Sequence, residues 1–338
     1  MNYKPFKEQD KTKLFCTVTS PFVGKDEEDP FVNKIFHSHC DLSVHTRKTN
    51  EIFCSGTDNK KIIFVNTKSL GFFIKKILPN INHQFVLVAG DEDHTIPSQI
   101  DARFDSYGNR KGASGANDKS KLSYFECYNL LSKDERVIHM FSTHLDIPKN
   151  DRISPIPVGF SPYQSPRSNP DKLLDVDVDL DILKKPLVVK GGDMIRPGKQ
   201  WDERRKIKKL CSNEWKGFSD YKCNGNLIQF NNEVKKYPFM FCGKGGGIEP
   251  NPKVFTSILL GVIPIVKRFV NCDILYENLP VVFIDEWKND QVNIQKLEEW
   301  RIELSEFFYK KREKVLYRLT VDYWKEYMEK KSKTKIWK

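Results

Sequence analysis

Several large protein classes are excluded by what this 338-residue chain lacks. No window approaches the roughly 18 uninterrupted apolar residues of a membrane-spanning helix. The longest apolar stretch, Val254 to Val266, is flanked by Lys253 and Lys267 and reads as a buried helix followed by a strand. The opening residues, Met1-Asn-Tyr-Lys-Pro-Phe-Lys-Glu, hold no apolar segment of a secretory leader or type II Golgi anchor, so the expectation is a soluble, cytoplasmic protein. Eight cysteines (Cys16, Cys40, Cys54, Cys127, Cys211, Cys223, Cys242 and Cys272) form no Cys-x-x-Cys pair. That argues against a structural zinc site and a disulfide framework, and it leaves buried free thiols. Gly-x-x-x-x-Gly-Lys-Ser/Thr is absent, which sets aside a P-loop NTPase. Also absent is an early Gly-x-Gly-x-x-Gly with an acid about 20 residues later, which sets aside a dinucleotide oxidoreductase.

What is present is a large apolar inventory and an uneven positive charge. Hydrophobic residues make up 39%, with 23 Phe, enough to fill real cores, and the length points to two domains. The net charge is +11, and residues 301–338 carry 12 Lys and Arg against 6 Asp and Glu, more than half of that excess. Such a tail offers a surface for peripheral membrane contact, or is simply a solvated helix face. No nucleic-acid-binding motif accompanies the charge, so nucleic acid is not an expected partner.

Apolar runs alternate with helical stretches, the pattern of an α/β protein with parallel sheets. Strands are expected at Lys61–Asn66, Gln84–Gly90, Val137–Phe141 and Ile153–Gly159, with a helix from Ser69 to Leu78. Pro162, Pro166 and Pro170 interrupt the chain, and an alternating Asp175-Val-Asp-Val-Asp-Leu-Asp row follows. The row contains Asp-x-Asp patterns, but one straight line of acids does not converge on a cation, so no metal site is expected there. After it come strand Pro186–Gly192, basic helix Gln200–Leu210, strand Tyr237–Gly243, helix Lys253–Leu260 and strands Val262–Val266 and Pro280–Asp285. A helical pattern runs from Val292 to Met328, with Leu297, Trp300, Leu304, Phe307 and Phe308 as its apolar stripe. The expected divisions are 1–170, a linker or edge strand at 171–185, a second domain at 186–291, and a helical segment with basic tail at 292–338.

The most informative segment joins a strand to a helix: Phe241-Cys-Gly-Lys-Gly-Gly-Gly-Ile-Glu-Pro-Asn-Pro-Lys. Gly245, Gly246 and Gly247 let backbone amides come close to a ligand. Asn251 suits a helix N-cap and Pro252 the first helical position, so the helix start would face the bend. With Lys244 and Lys253 added, this is a site for phosphate. Glu249, an acceptor among cations, suits sugar or ribose hydroxyls. Gly191 closes an equivalent strand end, and Arg196 and Arg204 follow it. Arginine grips phosphate with two parallel bonds, so Arg196 or Arg204 is the expected direct contact.

Gly246-Gly-Ile-Glu-Pro-Asn-Pro-Lys-Val-Phe-Thr-Ser-Ile-Leu-Leu-Gly-Val-Ile-Pro-Ile-Val resembles the glycine turn, acidic residue, basic helix start and Gly-x-Ile-Pro-Ile strand of exostosin-like glycosyltransferases of the GT-B type. Leu279-Pro-Val-Val-Phe-Ile-Asp-Glu-Trp is similar to that family's next strand, and weaker similarity runs back to Lys61. The resemblance implies two Rossmann-like domains facing each other across a cleft, with a C-terminal helix crossing back. It implies a donor nucleotide-sugar, UDP- or GDP-linked, held as co-substrate by the second domain, and a carbohydrate or other hydroxyl acceptor held by the first. It implies metal-independent transfer of a hexosyl or pentosyl group, with no further cofactor.

Inverting transfer needs a base at a strand end of the first domain, and Asp93 in Gly90-Asp-Glu-Asp-His fits, with His144 as a second candidate. One departure stands out: Thr256 and Ser257 occupy the helix where many relatives carry a glutamate. It leaves open a non-catalytic nucleotide- or glycan-binding protein that keeps the fold.

Overall fold

The computed structural model describes residues 40–45, 51–54, 61–100, 122–160, 187–191, 199–220, 227–250 and 252–335, together with 181, 185 and 195. The aspartate row from Asp175 to Asp179, Gly192, Arg196 and Asn251 lie outside the described residues.

A first sheet contains β1 (Leu42–His45), β2 (Glu51–Cys54), β3 (Ile62–Asn66), β4 (Phe85–Gly90), β5 (Val137–Ser142) and β6 (Ile153–Pro155). Its order is β2-β1-β3-β4-β5-β6, antiparallel only between β1 and β2. Apolar residues on both faces mark a sheet covered on both sides. Ile63, Val65, Leu87 and Ala89 pack with Leu70, Phe73 and with Tyr124 and Leu131 of α1 (Tyr124–Lys133), while Ile62, Phe64, Val86 and Val88 point the other way. A complete capping box starts α1, Ser123 and Glu126 each bonding the other's backbone. The helix expected from Ser69 to Leu78 is less regular than its pattern: an α-turn at Leu70–Phe72 runs into a π-turn at Phe73–Ile77 and a 3-10 turn across Pro79.

The second sheet contains β7 (Val188–Lys190), β8 (Ser219–Asp220), β9 (Phe239–Phe241), β10 (Ile263–Lys267) and β11 (Val282–Ile284), all parallel, in the order β11-β10-β9-β7-β8. The chain therefore moves one way from β7 to β8, then crosses to the other side of β7 for β9. That reversal is the switch point of a doubly wound sheet, where ligands bind outside the strands' carboxyl ends. Helices α2 (Asp202–Ser212) and α3 (Leu227–Val234) precede β9, and α4 (Lys253–Leu259) and α5 (Cys272–Leu275) follow it.

The long helical pattern after Val292 is four helices: α6 (Ile294–Leu304), α7 (Glu306–Tyr309), α8 (Arg312–Arg318) and α9 (Val321–Ser332). Leu297 and Phe308 are fully buried against the second sheet, so the expected stripe is the face that docks. Arg312 at the start of α8 donates to the carbonyls of Ile258 and Leu259, each at 2.7 Å, satisfying the buried C-terminal end of α4. The chain then returns to the first half. Tyr327 of α9 meets Phe141 of β5, with ring centroids 6.1 Å apart.

One continuous core includes Phe64, Val88 and Phe141 of the first sheet, Val189, Met240 and Val266 of the second, and Trp324 and Met328 of α9. Two Rossmann-like regions joined in this way, with a C-terminal helix crossing back, are the architecture that the resemblance implied. No helix among the described residues is long and apolar enough to cross a membrane. Cys40, Cys127, Cys211, Cys242 and Cys272 are buried free thiols.

Candidate functional site

The glycine bend leaves β9 at the second sheet's switch point, beside the end of β7. Its glycines are there for room, since positive φ among the described glycines is confined to Gly159 and Gly261. A Cβ on Gly243 would lie 2.7 Å from Ile207 Cδ1, and one on Gly245 would lie 2.7 Å from Arg204 Nη2. One on Gly246 would fall on the carboxylate of Asp93, and one on Gly247 on the ring of His144. Both candidate bases of the first half thus touch consecutive residues of the bend.

The approach comes from strand ends that face each other. Asp93 follows β4 and His144 follows β5. Asp91 and His144 hold left-handed backbone, with φ of 62° and 50°. Such conformations cost free energy in non-glycine residues and persist where surrounding structure enforces them. Around Asp91, Asn66 donates to the side chain and the backbone carbonyl, each at 3.3 Å. His144 is buried and its carbonyl accepts from Ile96 at 3.2 Å.

From the other side the bend is clamped by α2. Glu203 Oε1 accepts from the Lys244 amide at 2.8 Å, and Arg204 Nε donates to the Lys244 carbonyl at 3.0 Å. Arg204 lies over Trp201, 4.7 Å from the ring centroid. Its pKa falls to about 10, mainly through burial, with Asp93 and Glu203 pulling it back up. Lys253, at the start of α4, packs against Gly191, where an added Cβ would stand 3.0 Å from Lys253 Cδ. Burial, then the neighbouring Arg204 and Lys190, push the Lys253 pKa down to about 7. Lys190, Arg204 and Lys253 are 2%, 7% and 4% exposed. Arg204 feels the carboxylates of Asp93 and Glu203, and Lys253 that of Glu203, so cations and carboxylates are gathered in one buried place at the bend.

The remaining candidates are placed as follows. Glu249 Oε2 accepts from Val158 N at 3.4 Å and Oε1 from Tyr276 OH at 3.4 Å, so it ties the second half to the segment after β6. Asn271 makes a parallel tie, donating to Leu145 and Ile147 carbonyls and accepting from Lys149 N. Lys244 is half-buried, held by its backbone. Pro252, expected as the first helical residue, is the N-cap of α4 and makes no side-chain cap bond. Thr256 and Ser257 are buried, and Ser257 Oγ donates to the Lys253 carbonyl at 2.6 Å.

Two contributors, Lys190 and Glu203, were not among the sequence-derived candidates. Lys190 could have been found from its place directly before the Gly191 strand end. Glu203 carries no signal, because its role is to hold a peptide bond 41 residues away. The bend is also more closed than its sequence suggests, with Gly245, Gly246 and Gly247 all buried under Asp93, His144 and Arg204.

This closure has a measurable consequence. Gly247→Ala should lower the denaturation midpoint, corresponding to about 1–3 kcal/mol of overpacking against His144. An unchanged midpoint would show that the imidazole does not rest there.

No protein-family model and no curated protein sequence matches the chain. Among solved structures, a sucrose-phosphate synthase from Thermosynechococcus elongatus is 11% identical with a TM-score of 0.42, covering 77% of this chain and 69% of that one. An alpha,alpha-trehalose 6-phosphate synthase from Burkholderia multivorans is 11% identical with a TM-score of 0.40, covering 80% and 71%. At that similarity neither lends a residue role to this chain.

Proposed function

We propose that this chain is a metal-independent glycosyltransferase of the exostosin-like GT-B type. It would move a hexosyl or pentosyl group from a UDP- or GDP-linked donor to a carbohydrate or other hydroxyl acceptor. The observation that carries the reading is the meeting of Lys190, Arg204 and Lys253 at the second sheet's switch point with Asp93 and His144 at the first sheet's strand ends. A diphosphate in the bend would accept charge-assisted hydrogen bonds from Arg204 and the protonated Lys253.

In a direct displacement, Asp93 takes the proton of the acceptor hydroxyl as its oxygen bonds to the anomeric carbon. The bond from that carbon to the diphosphate oxygen breaks, and the diphosphate leaves against Arg204, Lys253 and Lys190. His144 is the alternative base. Arg196 and Asn251 complete the proposed donor set. Because Asp93 and His144 cover the bend, donor entry requires the two halves to part. Cytoplasmic location, and peripheral membrane contact through the basic tail, belong to the same proposal.

The buried position of Thr256 and the covered bend favour a second reading, in which the fold binds a nucleotide or glycan without turnover. Melting curves with UDP-, GDP- and CMP-linked sugars in EDTA test binding: one donor should stabilise the protein by about 2.7 kcal/mol at a hundredfold excess over its Kd. Hydrolysis of that donor would decide for the enzyme. No shift with any donor would defeat the enzyme and the nucleotide-binding form of the second reading.

A further inference from the structure

Away from the bend, a cavity of about 650 Å³ lies between α8 and α9. It is within the size range of small-molecule sites. Phe307, Tyr317 and Tyr323 give it aromatic walls, and Arg318 is its buried polar group. The Arg318 guanidinium lies 4.4 Å from the centroid of the Tyr323 ring. Its Nη1 is 3.9 Å from Glu277 Oε2, a carboxylate on a side chain 65% exposed and therefore weakened by solvent. Arg318 Nε and Nη2 are buried and make no well-formed hydrogen bond among the described residues, the Tyr323 hydroxyl being a neighbour that favours the charged guanidinium.

Those two atoms share one edge of the guanidinium, the edge that grips a carboxylate with two parallel bonds. Buried donors left unbonded are costly, and each needs an account. Around the cavity, Lys311, Lys314 and Arg318 stand against Glu313 and Glu326, which leaves a single positive charge among the lining residues. Lys311 is already shared with Glu306 at 3.3 Å and Lys314 is exposed to solvent, so the unmet demand falls on the buried Arg318.

We infer that this cavity is a second binding site, separate from the glycine bend, for a small aromatic carboxylate. The carboxylate bonds the Nε–Nη2 edge of Arg318, and the ring lies among Phe307, Tyr317 and Tyr323. The single negative charge matches the lining, and a flat apolar body matches the walls.

The test is calorimetric titration of the full chain with 2-naphthoate, with 2-naphthalenemethanol as its neutral counterpart. Wild-type protein should bind 2-naphthoate with a Kd below about 1 mM and the alcohol at least tenfold more weakly. Arg318→Met should weaken 2-naphthoate by about 10- to 100-fold while leaving the nucleotide-sugar melting shift unchanged, so this site and the donor site fail separately. Arg318→Lys keeps the charge without the paired edge and should fall between the two; it also serves if the methionine variant does not fold. Equal binding by wild type and either variant overturns the inference, as does absence of wild-type binding at about 1 mM.

Discussion

Asp93→Asn should slow sugar transfer by about 10²- to 10⁴-fold without weakening the donor-induced melting shift. Asparagine keeps the shape that fits against Gly246 but cannot take a proton from an acceptor hydroxyl. It also removes the negative charge facing Arg204 in the closed form, so an incoming diphosphate meets less competition there. The effect should therefore fall on kcat, with the donor KM unchanged or lower, a pattern that separates a chemical role from a binding role. Transfer within threefold of wild type would move the base to His144, whose left-handed backbone is the other enforced feature at these strand ends.

Much of this site was legible because strand ends leave a strong signature. Apolar runs stopping at Gly90, Gly191 and Gly243 located the carboxyl ends of β4, β7 and β9, and binding groups gather at such ends in parallel sheets. What could not be read was which of those ends face each other. The contacts of Asp93 with Gly246 and His144 with Gly247 join residues over 100 positions apart, and no local pattern encodes them. The short β8 (Ser219–Asp220) was invisible for a different reason: two residues carry no periodicity, yet that strand creates the reversal at β7. Glu249 shows the limit of residue-type reasoning. A carboxylate amid cations suits a sugar hydroxyl, but in the fold it meets Val158 N and Tyr276 OH. The helical pattern after Val292 gave the buried face but not the breaks, because Ser305, Lys311 and Thr320 interrupt it without proline or glycine.

Lys253→Met should raise the stability of the free protein and at the same time weaken nucleotide-sugar binding. In the folded chain Lys253 has a pKa of about 7, below its ordinary value near 10.5, mainly because burial disfavours the ammonium. Between those values the unfolded chain holds a proton that the folded chain does not, so this group makes stability rise with pH across that window. Below about pH 7 its full cost is present. Methionine removes the cost while filling similar space beside Gly191, and the gain should be about 1–4 kcal/mol near pH 6, fading as pH approaches 10. A diphosphate in the bend reverses the balance by favouring the charged form, so wild-type binding takes up a proton and weakens above pH 7. The methionine variant should bind about 10- to 100-fold more weakly at pH 6 and lose that pH dependence. Denaturation midpoints and donor titrations at pH 6 and pH 9 check both halves. A variant less stable at pH 6 yet equally tight for donor would mean that Lys253 is held in place by packing and has no anion to meet.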